Sequence, residues 1–582
     1  MQMASSRWVI WNGPLLITIG AGLIVYGLFY NRGIWLSVIG YSVSPAERVL
    51  NGQVPYRDFL FNYTPGILWL NAAVMRVFGT ALLPIQIGLF AFKLATLVAL
   101  YWLGKRLMSP WAALVPVGLT LCWLGHRYIF NVHPTQYSML FILAAIITTL
   151  KFDETGDARW LIASGLLVGL VLVFKYNVGL VLLATGSAAI IAREVVPGWA
   201  RAREGAAGAS GATGTVRRVL VYWLGFFAVA MAMCGYLAAK GALLPMLDHF
   251  LHHAADYSEE RAIGLPSWRM LLPAGTGLMT AVIGLGIVKT WSPRLLLPAT
   301  YVFAAAGGAL VLMPGRMAVL KDAATAAVAY FPLFIFLAGL CWILFRLREL
   351  KRRADQSEVL DRERRLMVVA CFALGAYLEV YPRADYYHLV RVLPPVMVLF
   401  VFLMSCIFSR VPPDRSSAGS GAAVMAGMAP LLVVMLAFTG IKDTWVPQFD
   451  GWLRPADRTP VEITRGHGIL ASEYLAGSTR ELTELIESNS SPGDSVFSFA
   501  RRGAGFYFFA NRPNPTRLLW WDSVGIKASD RDAVFNMIKG GGPKLILIQM
   551  ALDDPQVREI INSRYARVGV VDDIEVFSRA AV

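Results

Sequence analysis

Charge is what this sequence has least of. Asp, Glu, Lys and Arg make up 16% of 582 residues, 56% are hydrophobic, and the mean hydropathy is +0.55. A soluble domain is about 25% charged and about 45–50% apolar, so this composition excludes an ordinary globular enzyme and predicts a polytopic helical membrane protein. Cysteine is also scarce: Cys122, Cys234, Cys341, Cys371 and Cys406 all stand inside apolar runs. Without paired spacing they offer no disulfide framework and no cysteine metal motif. Acids are fewer than bases, 38 against 53, which superficially suggests a nucleic-acid partner. The Lys and Arg, however, lie in short loops between apolar runs, the distribution that the positive-inside rule produces, so no nucleic acid is expected. No internal repeat is visible, and the first apolar run lacks a small-residue cleavage site and reads as a retained span.

What is there is a series of apolar runs that predicts about thirteen spans, several of them short for a bilayer crossing. They are Trp8–Tyr30, Leu82–Leu103, Ala112–Leu124, Gln136–Leu150, Trp160–Val173, Val178–Ile191 and Val219–Ala238, then Met270–Val288, Leu295–Leu312, Thr325–Phe345, Leu366–Tyr381, Val390–Phe408 and Ala423–Ile441. With a cytoplasmic N-terminus, Lys105-Arg106, Arg193–Arg218, Arg346–Arg365 and Arg410–Arg415 fall inside. The odd span count then puts the C-terminus outside, and the expected location is the plasma (inner) membrane. From Asp450 the pattern becomes helices alternating with short strands. The expected division is a bundle over 1–445, with an outside loop at 31–81, followed by an extracytoplasmic α/β domain over 446–582.

The stretch Tyr41–Gly79 is too polar to span and too structured to be a plain linker. Asn51-Gly52 and Pro55-Tyr56 are turn formers between two carboxylates, Glu47 and Asp58. Thr64-Pro65 offers an N-cap and a first-turn proline for a short apolar helix stopped by Gly79, and that helix is expected to lie at the membrane surface. The alternative is a structured connector between two spans.

The words AERVLNGQVPYRDFLFNYTPG (Ala46–Gly66), FKYNVGL (Phe174–Leu180), YPRADYYHLVRVLPP (Tyr381–Pro395) and FYFFANRPNPT (Phe506–Thr516) carry a resemblance. With the topology, they make the chain resemble the GT-C glycosyltransferases that use polyprenyl-phosphate sugars, in the branch of protein O-mannosyltransferases and the lipid A aminoarabinose transferase. The resemblance implies a mainly α GT-C membrane bundle and an enzyme of the cell envelope. Such an enzyme moves a hexose or pentose from a polyprenyl-phosphate donor to a lipid, glycan or protein acceptor, with inversion. The chain departs from the family in two places. Where many members carry an Asp-Glu pair ahead of the loop it has Val38-Ile39, and where they carry an acid between the third and fourth spans it has Asn131-Val132-His133-Pro134.

The catalytic base is therefore expected from the loop, with Asp58 ahead of Glu47. Asp58 follows Tyr56-Arg57 and precedes an aromatic run, whereas Glu47 starts a helix, where an exposed acid needs no functional explanation. A leaving phosphate needs cations, and Lys175, Arg383 and His388 stand at predicted outside turns, with Asp385, Tyr56 and Arg57 as further donor contacts. For Lys175 the alternative is a snorkelling side chain, and for Arg383 and Asp385 a local ion pair. His249, His252, His253 and Asp256 have helical metal-ligand spacing without a framing motif, so no metal or other cofactor is assigned and divalent-metal dependence is left open. Two other functions fit the composition: a transporter or flippase of a lipid-linked or anionic solute, and a non-catalytic assembly partner.

Overall fold

The computed structural model describes residues 2–123, 130–201, 212–261, 332–333, 335–340, 357–381, 386–408, 458–521, 526–549 and 555–579, with isolated positions at 298 and 302. The expected spans Met270–Val288, Leu295–Leu312, Thr325–Phe345 and Ala423–Ile441 lie wholly or mostly outside the described residues, as do Arg383 and Asp385.

The chain is mainly helical. Its first part runs α1 (Gln2–Phe29), α2 (Ser44–Leu50), α3 (Gly66–Phe78), α4 (Leu82–Leu107), α5 (Leu114–Trp123), α6 (Pro134–Thr155), α7 (Arg159–Phe174), α8 (Tyr176–Arg201), α9 (Ala212–Ala239), α10 (Leu243–Arg261), α11 (Ser357–Tyr377) and α12 (Tyr386–Phe408). Among the described residues five helices are long and apolar enough to cross a membrane: Leu82–Leu107, Pro134–Thr155, Tyr176–Arg193, Thr213–Ala239 and His388–Ser405. The last of these is almost wholly enclosed by its neighbours, which explains why its run of Val, Leu, Phe and Met is apolar all round.

Small residues set the tightest crossing. A Cβ on Gly165 of α7 would sit 2.0 Å from the Tyr222 carbonyl of α9, and one on Gly225 would sit 2.2 Å from the Ile162 carbonyl. In a medium as apolar as the side chains, association rests on such close van der Waals packing rather than on hydrophobic burial.

The polar stretch after α1 folds as a unit. Residues 36–38 are helical, 39–43 are π-wound, and α2 follows and ends at the Asn51-Gly52 turn. α3 begins at Gly66 and stops at Gly79, whose φ of +90° suits glycine. Thirteen residues reach only about 20 Å, less than a hydrocarbon core of about 30 Å. One face of α3 is buried through Ile67, Leu68, Asn71 and Met75, while Val77 and Phe78 stand exposed at its end. The expected Thr64 cap does not form. Thr64 is fully buried and its hydroxyl donates to the Leu172 carbonyl at 2.6 Å, so this residue ties the loop to α7 instead of capping α3.

From residue 458 on, the described residues form two small sheets. β1 (Thr459–Pro460) pairs with β2 (Leu470–Ala471), and β3 (Val496–Ser498), β4 (Leu545–Gln549), β5 (Tyr565–Val571) and β6 (Ile574–Arg579) form a four-stranded sheet in the order β3-β4-β6-β5. Only β3 and β4 are parallel. Helices Glu473–Ser488, Ala528–Lys539 and Pro555–Arg564 intervene, as their apolar periodicity predicts. Phe497, Phe499, Ile546, Ile548, Val534, Ile561 and Phe577 make a core here, and Leu60 of the loop is part of it. The Leu60 N–H donates to the Arg517 carbonyl and the Arg48 guanidinium to the Thr516 carbonyl. The Phe506–Phe509 cluster is buried, and Arg502 and Arg512 are held by Asp572 and by the Ser490 carbonyl. All of these residues serve packing.

Candidate active site

The loop acids come first, because sequence reasoning centres on them. Glu47 is not the exposed helix-start acid that its position suggests. Both of its oxygens are bound by Arg465, at 2.8 Å each, and only 16% of the side chain is exposed. Arg465 also donates to the Phe508 carbonyl and to Asn511, so the pair fastens α2 to the C-terminal segment. Asp58 is also bound at both oxygens. Arg57 forks onto them at 2.8 Å each, and the Val54 N–H donates to Oδ2 at 2.7 Å. The Arg57 guanidinium, with that amide, holds the Asp58 carboxyl below its ordinary pKa. A depressed pKa keeps a carboxylate ionised but weakens it as a base. Tyr56 is fully buried at φ +68°, and its hydroxyl donates to the Tyr63 carbonyl at 2.5 Å. Tyr56 thus braces the turn that carries Asp58.

A second cluster lies where the loop meets the helix ends. Lys175 is the extended residue between α7 and α8, a break in the helices that turns its side chain inward. Its Nζ lies 2.6 Å from Glu379 Oε1, with the two side chains 9% and 3% exposed. Glu379 stands on the 3₁₀ turn Leu378–Val380 that ends α11. The same Oε1 accepts the Thr135 hydroxyl at 2.5 Å. Glu379 Oε2 is buried and has no hydrogen-bond partner among the described residues.

His133 and Tyr63 line this centre. The Thr135 N–H donates to His133 Nδ1, so in the neutral ring the proton sits on Nε2 and points to the Tyr63 hydroxyl at 3.3 Å. Burial, with the basic side chains Arg391, Lys175 and His388, pushes the His133 pKa well below its ordinary value. All three basic side chains thus act electrostatically on the His133 ring. Lys175 Nζ also lies 5.9 Å over the Tyr63 ring, and Tyr41 packs edge-on against His133. Lys93, buried within α4, donates to Gln136 one residue further along α6. A centre with several cations and one carboxylate suits a phosphate-bearing ligand and a proton acceptor together.

The structure thus brings together Lys175 and His388 of the expected donor contacts, while Glu47, Tyr56, Arg57 and Asp58 form separate contacts in the loop. It adds Glu379, Thr135, His133, Tyr63 and Arg391, which sequence reasoning overlooked. For Glu379 and Arg391 the signal was present: an ionisable residue inside an apolar run marks a functional position by default. The expected snorkelling alternative for Lys175 is replaced by a buried ion pair. The His249 ring bonds the Asn62 side chain and His252 the Asp248 carbonyl. Among the described residues no three His, Cys, Asp or Glu side chains are grouped to hold a metal.

Residues 62–202 match the family described as dolichyl-phosphate-mannose-protein mannosyltransferase, and this segment holds Tyr63, His133, Thr135 and Lys175. No curated protein matches the chain by sequence. Among solved structures, the fold is similar to ArnT from Cupriavidus metallidurans bound to undecaprenyl phosphate, with a TM-score of 0.51 and 11% identity over 98% of both chains. The Archaeoglobus fulgidus oligosaccharyltransferase in complex with zinc and sulfate aligns with a TM-score of 0.49 and 12% identity, over 97% of this chain and 73% of its own. In fold, and in sequence over residues 62–202, the chain resembles the GT-C membrane glycosyltransferases that use polyprenyl-phosphate donors.

Proposed function

We propose that this protein transfers a sugar from a polyprenyl-phosphate donor to a hydroxyl or amine of a lipid, glycan or protein acceptor, with inversion, at the extracytoplasmic membrane face. The observation that carries this reading is the buried Lys175–Glu379 pair, with one carboxylate oxygen left without a partner among the described residues. In the step, the acceptor oxygen or nitrogen bonds to the anomeric carbon as the bond from that carbon to the phosphate oxygen breaks. The acceptor's proton passes to Glu379 Oε2, and the polyprenyl phosphate departs with its electron pair toward Lys175 and His388. Such base assistance is worth about 10²–10⁴-fold. Thr135 and Lys175 hold Glu379 by its other oxygen and so fix the direction of the open one. Asp58, still 29% exposed on its side chain, is the competing base. Its two engaged oxygens favour instead a role in holding the loop beside the donor.

Membranes with the expressed protein, supplied with a lipid extract of the source organism, should convert a glycosylated polyprenyl phosphate to free polyprenyl phosphate by mass spectrometry. Absence of that conversion, with an intact lipid crossing proteoliposomes instead, would support a transporter. The observation on that side is the buried Lys93, because intramembrane cations also serve anionic transport pathways.

A further inference from the structure

A second polar cavity lies at the other end of the bundle. Its walls include Trp102, Lys105, Arg106, Glu154 and Arg365, and it holds about 440 Å³. Glu154 lies on α6 beyond Thr135 by nineteen residues, which at the helical rise is roughly 28 Å. The cavity is therefore distinct from the Lys175–Glu379 centre and sits near the opposite membrane face, the one that the loop charges assign to the cytoplasm.

Basic side chains outnumber the acid there: Glu154 is engaged by Arg106 and, at 3.7 Å, by Lys151, while Lys105 and Arg365 also line the cavity. Arg106 pairs with Glu154 at 2.5 Å, and Arg365 donates to the Arg106 carbonyl at 3.3 Å, leaving most of its guanidinium uncommitted to that contact. Lys105 is exposed, and its ammonium makes no hydrogen bond or ion pair among the described residues. The surroundings say which anion fits. On α4, Ile87, Ala91, Trp102 and Lys105 are exposed on one helical face, so an apolar stripe runs along the outside of the helix and ends at the ammonium. Trp111, just past the cavity, is also exposed. Exposed tryptophans beside basic residues belong at the headgroup level of a bilayer.

We propose that this cavity binds the phosphate headgroup of an anionic membrane phospholipid, with Lys105 and Arg365 on the phosphate and an acyl chain along the outer face of α4. Basic pockets between helices at the cytoplasmic side take such headgroups. The site does not depend on the transferase reading.

The test uses the purified full-length protein in detergent, titrated with phosphatidylglycerol or phosphatidylcholine and read by native mass spectrometry. The parent should retain phosphatidylglycerol over phosphatidylcholine. Lys105→Gln should weaken it about fivefold, and Lys105→Gln with Arg365→Gln roughly 25-fold, from about one charge contact each. Lys105 has no side-chain partner among the described residues to lose, so the single variant reads the site even if the double variant does not fold. Equal retention of both lipids, or an unchanged Lys105→Gln affinity, would overturn the proposal. Full displacement by inorganic phosphate would overturn the lipid as ligand and leave a soluble phosphate site.

Discussion

The loop acids and Glu379 are all carboxylates beside a cation, yet they are bound differently. Arg465 takes both oxygens of Glu47, and Arg57 with the Val54 amide takes both oxygens of Asp58. Lys175 and Thr135 share one oxygen of Glu379, and the other is buried with no hydrogen-bond partner among the described residues. A fully engaged carboxylate holds structure. A half-engaged one, buried, meets a desolvation cost that a bound substrate proton can relieve. On the proposed function, this difference favours scaffolding for the loop and chemistry for the helix ends.

The largest effect should come from removing the cation at the helix-end pair. Lys175→Met leaves Glu379 as an uncompensated buried charge, a loss of about 3–5 kcal/mol of stability, and donor binding should fall with it. Thermal melting together with polyprenyl-phosphate retention checks both; a variant as stable as the parent would show that the pair is not buried as described. Smaller, and blind to the chemistry, is Gly165→Val. The added atoms collide with the Tyr222 carbonyl, so overpacking should cost about 1–3 kcal/mol while the transfer rate of the folded fraction is kept. Smaller again, Arg465→Met frees both oxygens of Glu47 and should cost about 1–2 kcal/mol without lowering transfer per folded molecule. Loss of transfer in that variant would move the chemistry back toward the loop.

The smallest effect is one of pH. His133 is held neutral, with a folded pKa below its unfolded value of about 6.5. Its contribution is therefore complete above pH about 6.5 and is lost as pH falls from there toward the folded pKa. Melting curves between pH 8 and 5 should show a decline below about 6.5 that His133→Gln reduces.

Much of this arrangement is legible in the residues. The turn at Asn51-Gly52, the short helix stopped by Gly79 and the strands at 496–498, 545–549, 565–571 and 574–579 all follow from local pattern. Local rules suffice there because turn chemistry and period two or 3.6 are properties of neighbours in sequence. The site is less legible because it joins residues far apart. Thr64 reads as a cap until a carbonyl more than a hundred positions away claims its hydroxyl. Glu47 reads as exposed until Arg465 arrives from the far end of the chain. Glu379 was open to inference, as the one acid in the run Leu366–Tyr381. Weighing acids by their loop position hid it, although an acid inside an apolar run is the costlier and more informative placement.

The most direct measurement sets the two carboxylates against each other. Asp58→Asn and Glu379→Gln, each isosteric and each removing a base, would be expressed in matched membranes, with release of free polyprenyl phosphate followed by mass spectrometry and donor retention measured in parallel. Glu379→Gln should lose at least about 100-fold in transfer with the donor still bound, while Asp58→Asn stays within about tenfold of the parent. Near-parental transfer by Glu379→Gln, with the large loss falling on Asp58→Asn instead, would contradict the account and return the base to the loop.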